Sequence, residues 1–171
     1  MMKVWNMWTV LCLVGTISIP AAAQKAGFNG TWKLNLAKSF LAGDHPSTGY
    51  ELTKVIKQKG GHITMTDVAV HVTMMNIPLP DSTTKLDIEV DGEEHDVQAP
   101  PPFPGMPPST EKVSVVWQGC TLEIRERGPG FVGSSKRRYF LSEDGSELIV
   151  LVERHSTFQD AEQRLVFEKQ P

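Results

Sequence analysis

Hydrophobic and polar residues alternate along most of the chain, and no long stretch repeats at helical spacing. The segments "GTWKLNL", "YELTKVIKQ" and "HITMTDVAVHVTMM" open the series. "TTKLDIEV", "EKVSVVW", "TLEIRER", "KRRYFLS", "ELIVLVERH" and "QRLVFEKQ" continue it. A period of two puts every second side chain on one face, so each segment reads as a strand with a single face turned to a core. Between them stand turn signals, "KGG", Asp91-Gly92, Gln118-Gly119 and Asp144-Gly145, whose glycines supply the positive φ of tight hairpins. About eight to ten strands joined this way predict an all-β fold, an antiparallel up-and-down meander that closes into a barrel or folds into a sandwich.

Two segments interrupt the alternation. "AKSFLAGDHPSTG", after the first strand, has room for one helical turn or a short lid. "QAPPPFPGMPPS", Gln98 to Ser109, holds too many prolines for a central strand and reads as an extended hairpin loop, with PxxP-type recognition as the alternative.

The start of the chain departs from the pattern altogether. Lys3 precedes a short apolar run, "TVLCLVGTISI", and "PAAAQ" offers an Ala21-x-Ala23 cleavage site. This is the anatomy of a secretory signal peptide over residues 1–23, and the run is too short for an ordinary membrane span. Cutting after Ala23 leaves residues 24–171 as a single domain of usual size, exported to the periplasm or beyond the cell. No later run is long enough to cross a bilayer, so stable membrane insertion is not expected of the mature chain.

Charge and cysteine content narrow the classes further. The whole chain carries a net charge of −3 and loses Lys3 with the signal. A mildly acidic chain whose only basic run is Lys136-Arg137-Arg138 is a poor nucleic-acid binder. Cys12 leaves with the signal, so Cys120 is the lone thiol of the mature chain and an internal disulfide is impossible.

Chemistry-bearing motifs are thin. "GPGFVG", Gly128 to Gly133, satisfies G-x-G-x-x-G, but a strand follows where a nucleotide site needs a helix N-terminus. It reads as a hairpin loop. His62, Met65, His71, Met74 and Met75 crowd together, and on one continuous strand Met65, His71 and Met75 share a face. Such soft ligands suit copper, yet tight ligand spacing is missing and methionine fills cores readily. No G-x-S-x-G or H-E-x-x-H occurs, so no catalytic residue, metal or cofactor is expected.

The stretch "FNGTWKLN" carries the most architectural information. Gly30 and Trp32 point to one side of the first strand, where the glycine leaves room and the indole covers the floor of a barrel. These residues resemble the opening of the calycin superfamily, which includes fatty-acid-binding proteins, lipocalins and avidins. That resemblance implies an arginine from the last strand laid across the tryptophan, for which Arg164 is the matching candidate. More broadly, "FNGTWKLNLAKS", "VDGEE", "WQGCTLEI", "YFLSEDGSELIV" and "LVFEKQ", in this order, resemble exported lipocalin-like proteins of soil bacteria without an assigned activity. This implies a compartment and a fold, and transfers no catalytic residue.

One departure bears on the ligand. Fatty-acid-binding proteins end with an Arg-x-Tyr pair that holds the carboxylate, whereas this chain ends Arg164-Leu165-Val166-Phe167. Arg137 and Tyr139 do form Arg-x-Tyr one strand pair earlier, and anchor a ligand only if both face inward. The resulting expectation is a non-enzymatic barrel that binds a small apolar or amphipathic molecule. Trp32 would form the floor with Gly30 and Arg164, Arg137 and Tyr139 the polar anchors, and Met65 and Met75 the wall. The competing readings are a solid-cored barrel working through protein contacts, and an enzyme whose acid–base site only the fold assembles.

Overall fold

The computed structural model describes residues 27–41, 51–74, 77–78, 80–99, 107–128, 133–156 and 160–171. The expected signal segment, Met75 and proline-rich residues 100–106 lie outside the described residues. The strands in chain order are β1 (Gly30–Leu34), β2 (Glu51–Lys59), β3 (His62–Val70), β4 (Thr73–Met74), β5 (Ile77–Pro78) and β6 (Ser82–Glu89). They continue with β7 (His95–Ala99), β8 (Ser109–Gln118), β9 (Thr121–Arg127), β10 (Ser134–Leu141), β11 (Glu147–His155) and β12 (Ala161–Lys169).

Ten of these form one antiparallel sheet in the order β6-β3-β2-β1-β12-β11-β10-β9-β8-β7, with β4 and β5 a separate ribbon. The first and last strands meet in its middle, with Trp32 opposite Lys169 and Leu34 opposite Phe167. The predicted turns at Gly119 and Gly145 join neighbouring strands, both glycines with positive φ. The alternation then curls the sheet on itself. Every long strand sends its apolar phase to one side, and residues as far apart in the sheet as Ile88 of β6 and Val113 of β8 enter one buried cluster. The result is a nearly closed up-and-down barrel, open between β6 and β7.

That gap corrects the reading of Asp91-Gly92 as a tight hairpin. The strands it links are the two ends of the sheet and share no ladder. Its backbone bonds instead to other strands' turns and edges: Val90 N–H donates to Gly61 O at 2.6 Å and Gly92 N–H to Val115 O at 3.0 Å. The proline-rich reading also needs trimming, because Gln98 and Ala99 belong to β7 and Ser109 to β8. β7 is an edge strand, where neighbouring prolines are tolerated.

One end of the barrel is filled solid. Trp32 is fully buried, and its indole N–H donates to Phe28 O at 2.9 Å. Phe28 stacks on Trp117 with ring centroids 5.6 Å apart. Gly30 has φ +144°, and a Cβ there would lie 3.3 Å from Lys169 Cε and 3.7 Å from Trp32 Nε1. The missing side chain thus admits both the indole and a lysine stem.

The cation over the indole is Lys169, with Nζ 5.4 Å from the ring centroid. This corrects the assignment of Arg164. Trp32 pairs with Lys169, and Arg164 lies an odd number of residues away, on the opposite face of β12. Its guanidinium instead donates to Lys38 O at 3.1 Å. There the chain folds back as a short 3-10 turn, Leu36–Lys38, whose Asn35 side chain accepts from Lys38 N–H, before Phe40 bridges to Arg164.

The floor dominates the stability of this end. Trp32→Ala is expected to cost about 4 kcal/mol in urea unfolding, as large aromatic truncations in cores do. Lys169→Met is expected to cost less than about 1 kcal/mol, the size of an exposed cation–π contact.

Candidate functional site

Toward the opposite end the interior changes character. On five strands the inward phase runs from apolar residues to an ionisable one: Ile56 to Lys54 on β2, Met65 to Asp67 on β3 and Val113 to Glu111 on β8. Ile124 gives way to Glu126 on β9, and Tyr139 to Arg137 on β10. The five ionisable residues, with Met65, Val113 and Tyr139, surround a cavity of about 280 Å³. Leu86 of β6 and Val97 of β7 also line it, so both sheet edges reach it. Thr84, Lys85 and Gln98 at its rim are exposed, and the cavity opens to solvent between the two unpaired edges.

Lys54 is the least exposed charge lining the chamber, at only 4%. Asp67 lies directly across the β2–β3 ladder, and Lys54 Nζ donates to its two carboxylate oxygens at 2.5 and 2.6 Å. The same ammonium sits 5.7 Å from the ring centroid of Tyr139 and 5.8 Å from that of Phe167. A lysine loses its hydration here and regains partners on several sides, the condition under which a buried charge is tolerated.

A second ion pair lies across the chamber. Glu126 faces Ser135 in the β9–β10 register and Arg137 diagonally. Ser135 Oγ donates to Glu126 Oε2 at 2.7 Å, and Arg137 Nη2 donates to the same oxygen at 2.6 Å. Burial alone would favour neutral Arg137, but neighbouring Tyr139 and Glu126 outweigh it, with Asp67 adding, so the guanidinium holds its proton more tightly than usual.

Glu111 completes the set. Val113 pairs with Glu126, which places Glu111 one inward step nearer the strand's end on the neighbouring strand. Burial, and then the negative charge of Glu126, push its carboxyl above the ordinary range, with Arg137 partly opposing them.

The sequence-derived candidates divide accordingly. Arg137, Tyr139 and Met65 line one chamber, with Tyr139 fully buried and Met65 4% exposed. Trp32 lies below it in the floor and does not line it. Met75 lies outside the described residues. The shared face of Met65, His71 and Met75 is not formed by a continuous strand, because β3 ends at Val70 and His71 takes φ 57°. His62 turns to the outer surface and bonds Asp87. Of "GPGFVG", residues 129–132 lie outside the described residues, and Gly133 is required by packing, since a Cβ there would meet His155 O at 1.9 Å. Lys54, Asp67, Glu111 and Glu126 were absent from the sequence-derived set. Their signal was a charge on the apolar phase of a strand, repeated on neighbours.

No family model matches the sequence, and no curated protein matches it. Solved structures do. Human cRBP IV superposes with a TM-score of 0.54 at 18% identity, covering 85% of this chain and 99% of its own. A Schistosoma mansoni fatty acid binding protein, solved with arachidonic acid, gives 0.56 at 14% identity over 84% and 96%. Zebrafish ileal bile acid-binding protein, solved with cholic acid, gives 0.53 at 18% over 84% and 98%. The fold of this chain is the up-and-down barrel of these structures. Within this barrel the solid floor and the ion-paired chamber are the two halves of a single interior.

The chamber's electrostatics generate two expectations. Asp67→Asn strands the Lys54 ammonium and should cost about 3 kcal/mol in thermal or urea unfolding, whereas the double replacement Lys54→Met with Asp67→Leu should cost much less. For Glu111, whose folded-state value is raised, the stabilising contribution of the protonated form is complete below the unfolded carboxyl's range and is lost as pH rises through the folded value. Glu111→Gln keeps that neutral form at every pH. Its melting temperature relative to wild type should therefore climb from acid to neutral pH.

Proposed function

We propose that this barrel is an exported carrier that binds a small, partly apolar molecule in the chamber without transforming it. The observation that carries the reading is the cavity of about 280 Å³, walled by Met65, Leu86, Val97, Val113 and Tyr139 and open between β6 and β7. Small-ligand sites combine such an apolar wall with a few fixed polar groups, which Arg137, Glu126 and Lys54 supply here. The structural neighbours named above are binding proteins, and their bound arachidonic and cholic acids are amphipathic. Export is part of the proposal and rests on residues 1–23.

A solid-cored barrel working through its surface fits less well, because only the floor half is filled. The chamber is compact: about 280 Å³ lies at the low end of the range for small-molecule sites. A short-tailed ligand fits it better than a long acyl chain.

Native mass spectrometry of the protein purified from its own host, followed by solvent extraction, tests the reading. The expected result is a discrete adduct that extraction releases and that Ala99→Trp, which fills the rim of the chamber, abolishes while the strand signal in circular dichroism persists. A clean apo mass that stays clean after incubation with mixed envelope lipids would return the protein to the surface-interaction class.

A further inference from the structure

The chamber is lined by three acids and three bases, and the bases are already committed: Lys85, at the exposed rim, pairs with Asp87 on the outer face, which leaves two bases below the rim. Asp67 takes Lys54 through both oxygens, and Glu126 takes Arg137. Glu111 is left over: among the described residues no cation forms an ion pair with it. Both donors to Glu126 land on Oε2, which leaves Oε1 without a hydrogen bond from a described residue. Two neighbouring strands therefore present unfilled carboxylate oxygens to one space, with Val97 beside Glu111 in the β7–β8 ladder and Met65 and Leu86 completing the apolar wall.

Resting on the small-molecule reading above, we propose that the ligand's head group is a cation, an ammonium or amidinium, seated against Glu111 and the open oxygen of Glu126. The argument is one of competing partners. Below the rim, where Lys85 already pairs with Asp87, a ligand carboxylate meets an acidic surplus and gains a cation only by displacing Asp67 from Lys54 or Glu126 from Arg137. Either displacement leaves a partly buried carboxylate without its partner, which is costly in a low-dielectric interior. An ammonium breaks neither pair. It places three N–H donors where two carboxylates offer acceptors, and charge-assisted bonds of this kind are the strong ones.

The Arg137 and Tyr139 pair, though inward, thus acts differently from a carboxylate clamp. Arg137 holds Glu126 in place by its Oε2 and so keeps Oε1 available to the ligand. Tyr139, fully buried beneath it, fixes the depth to which a tail descends.

Three probes with the same tail separate the possibilities: octylammonium, octanoate and 1-octanol, titrated calorimetrically into the full chain. The expected order is octylammonium tightest, then 1-octanol, with octanoate weakest. Glu111→Gln should narrow the gap between octylammonium and 1-octanol about tenfold, a single charge-assisted contact, with an unchanged circular dichroism spectrum showing that it folds. Octanoate binding more tightly than octylammonium overturns the head-group assignment and leaves the carrier reading standing. An unchanged gap in the folded Glu111→Gln variant also overturns it. Failure of all three probes to bind overturns the carrier reading, and the assignment with it.

Discussion

The Lys54 ammonium is the point on which the interior turns. It is almost wholly removed from water, yet lies between the faces of Tyr139 and Phe167 with Asp67 directly across the ladder. Below it, Trp32, Phe28, Phe167 and Leu148 pack as a continuous apolar plug. Above it stand the ionisable side chains of Asp67, Glu111, Glu126 and Arg137. A side chain with a long apolar stem and a charged tip can belong to both regions at once. Lys54 joins them: its stem continues the plug and its tip opens the charged layer.

This constraint separates two tasks that a small barrel otherwise mixes. A uniformly apolar interior of this diameter is filled by its own side chains, and the floor half shows that outcome. Charges do not interpenetrate in the same way, because each must keep a partner and a share of space. The chamber persists where opposing ion pairs line it, Lys54 with Asp67 on one wall and Arg137 with Glu126 on the other. Hydrophobic replacement of such pairs is often neutral or stabilising. Their presence here is accordingly better explained by what the space is for than by stability.

Much of the barrel was legible in the chain and much of the chamber was not, for one physical reason. Period two tells which residues share a face but not which face is inside. Where the apolar set was one-sided, as with Trp32 and Leu34 or Leu122 and Ile124, the inward phase followed at once. In "YELTKVIKQ" both phases carry apolar residues and a lysine, so Lys54 and Lys57 looked alike until the ladder put Ile56 and Lys54 inside. Arg164 failed as the cap on Trp32 because the expectation matched a residue type without counting the phase from Lys169. The strand His95–Ala99 was missed because the prolines beside it obscured a short edge strand. The gap between β6 and β7 had no local signal at all, since Asp91-Gly92 is the same dipeptide in a hairpin and in a crossing between sheet edges.

The adjacent arginines of β10 show how far the phase rule can carry chemistry once it is fixed. Arg138 points outward and pairs with Glu153, which Lys136 also reaches at 2.8 Å. Arg137 points inward and meets Glu126. One basic run is thus divided between the two surfaces of a single strand, with an acid from a neighbouring strand waiting on each side. On the outer surface one glutamate serves two cations. In the chamber one cation serves two neighbouring glutamates, since Arg137 bonds Glu126 and only partly offsets the charge felt by Glu111. The imbalance inside is therefore a property of the register, and shifting β10 by one residue would bring Arg138 into the chamber and take Tyr139 out of it. Because Tyr139 is locked beneath Lys54 in the core, that slip is forbidden, and the plug at the bottom of the barrel fixes the charge of the chamber above it.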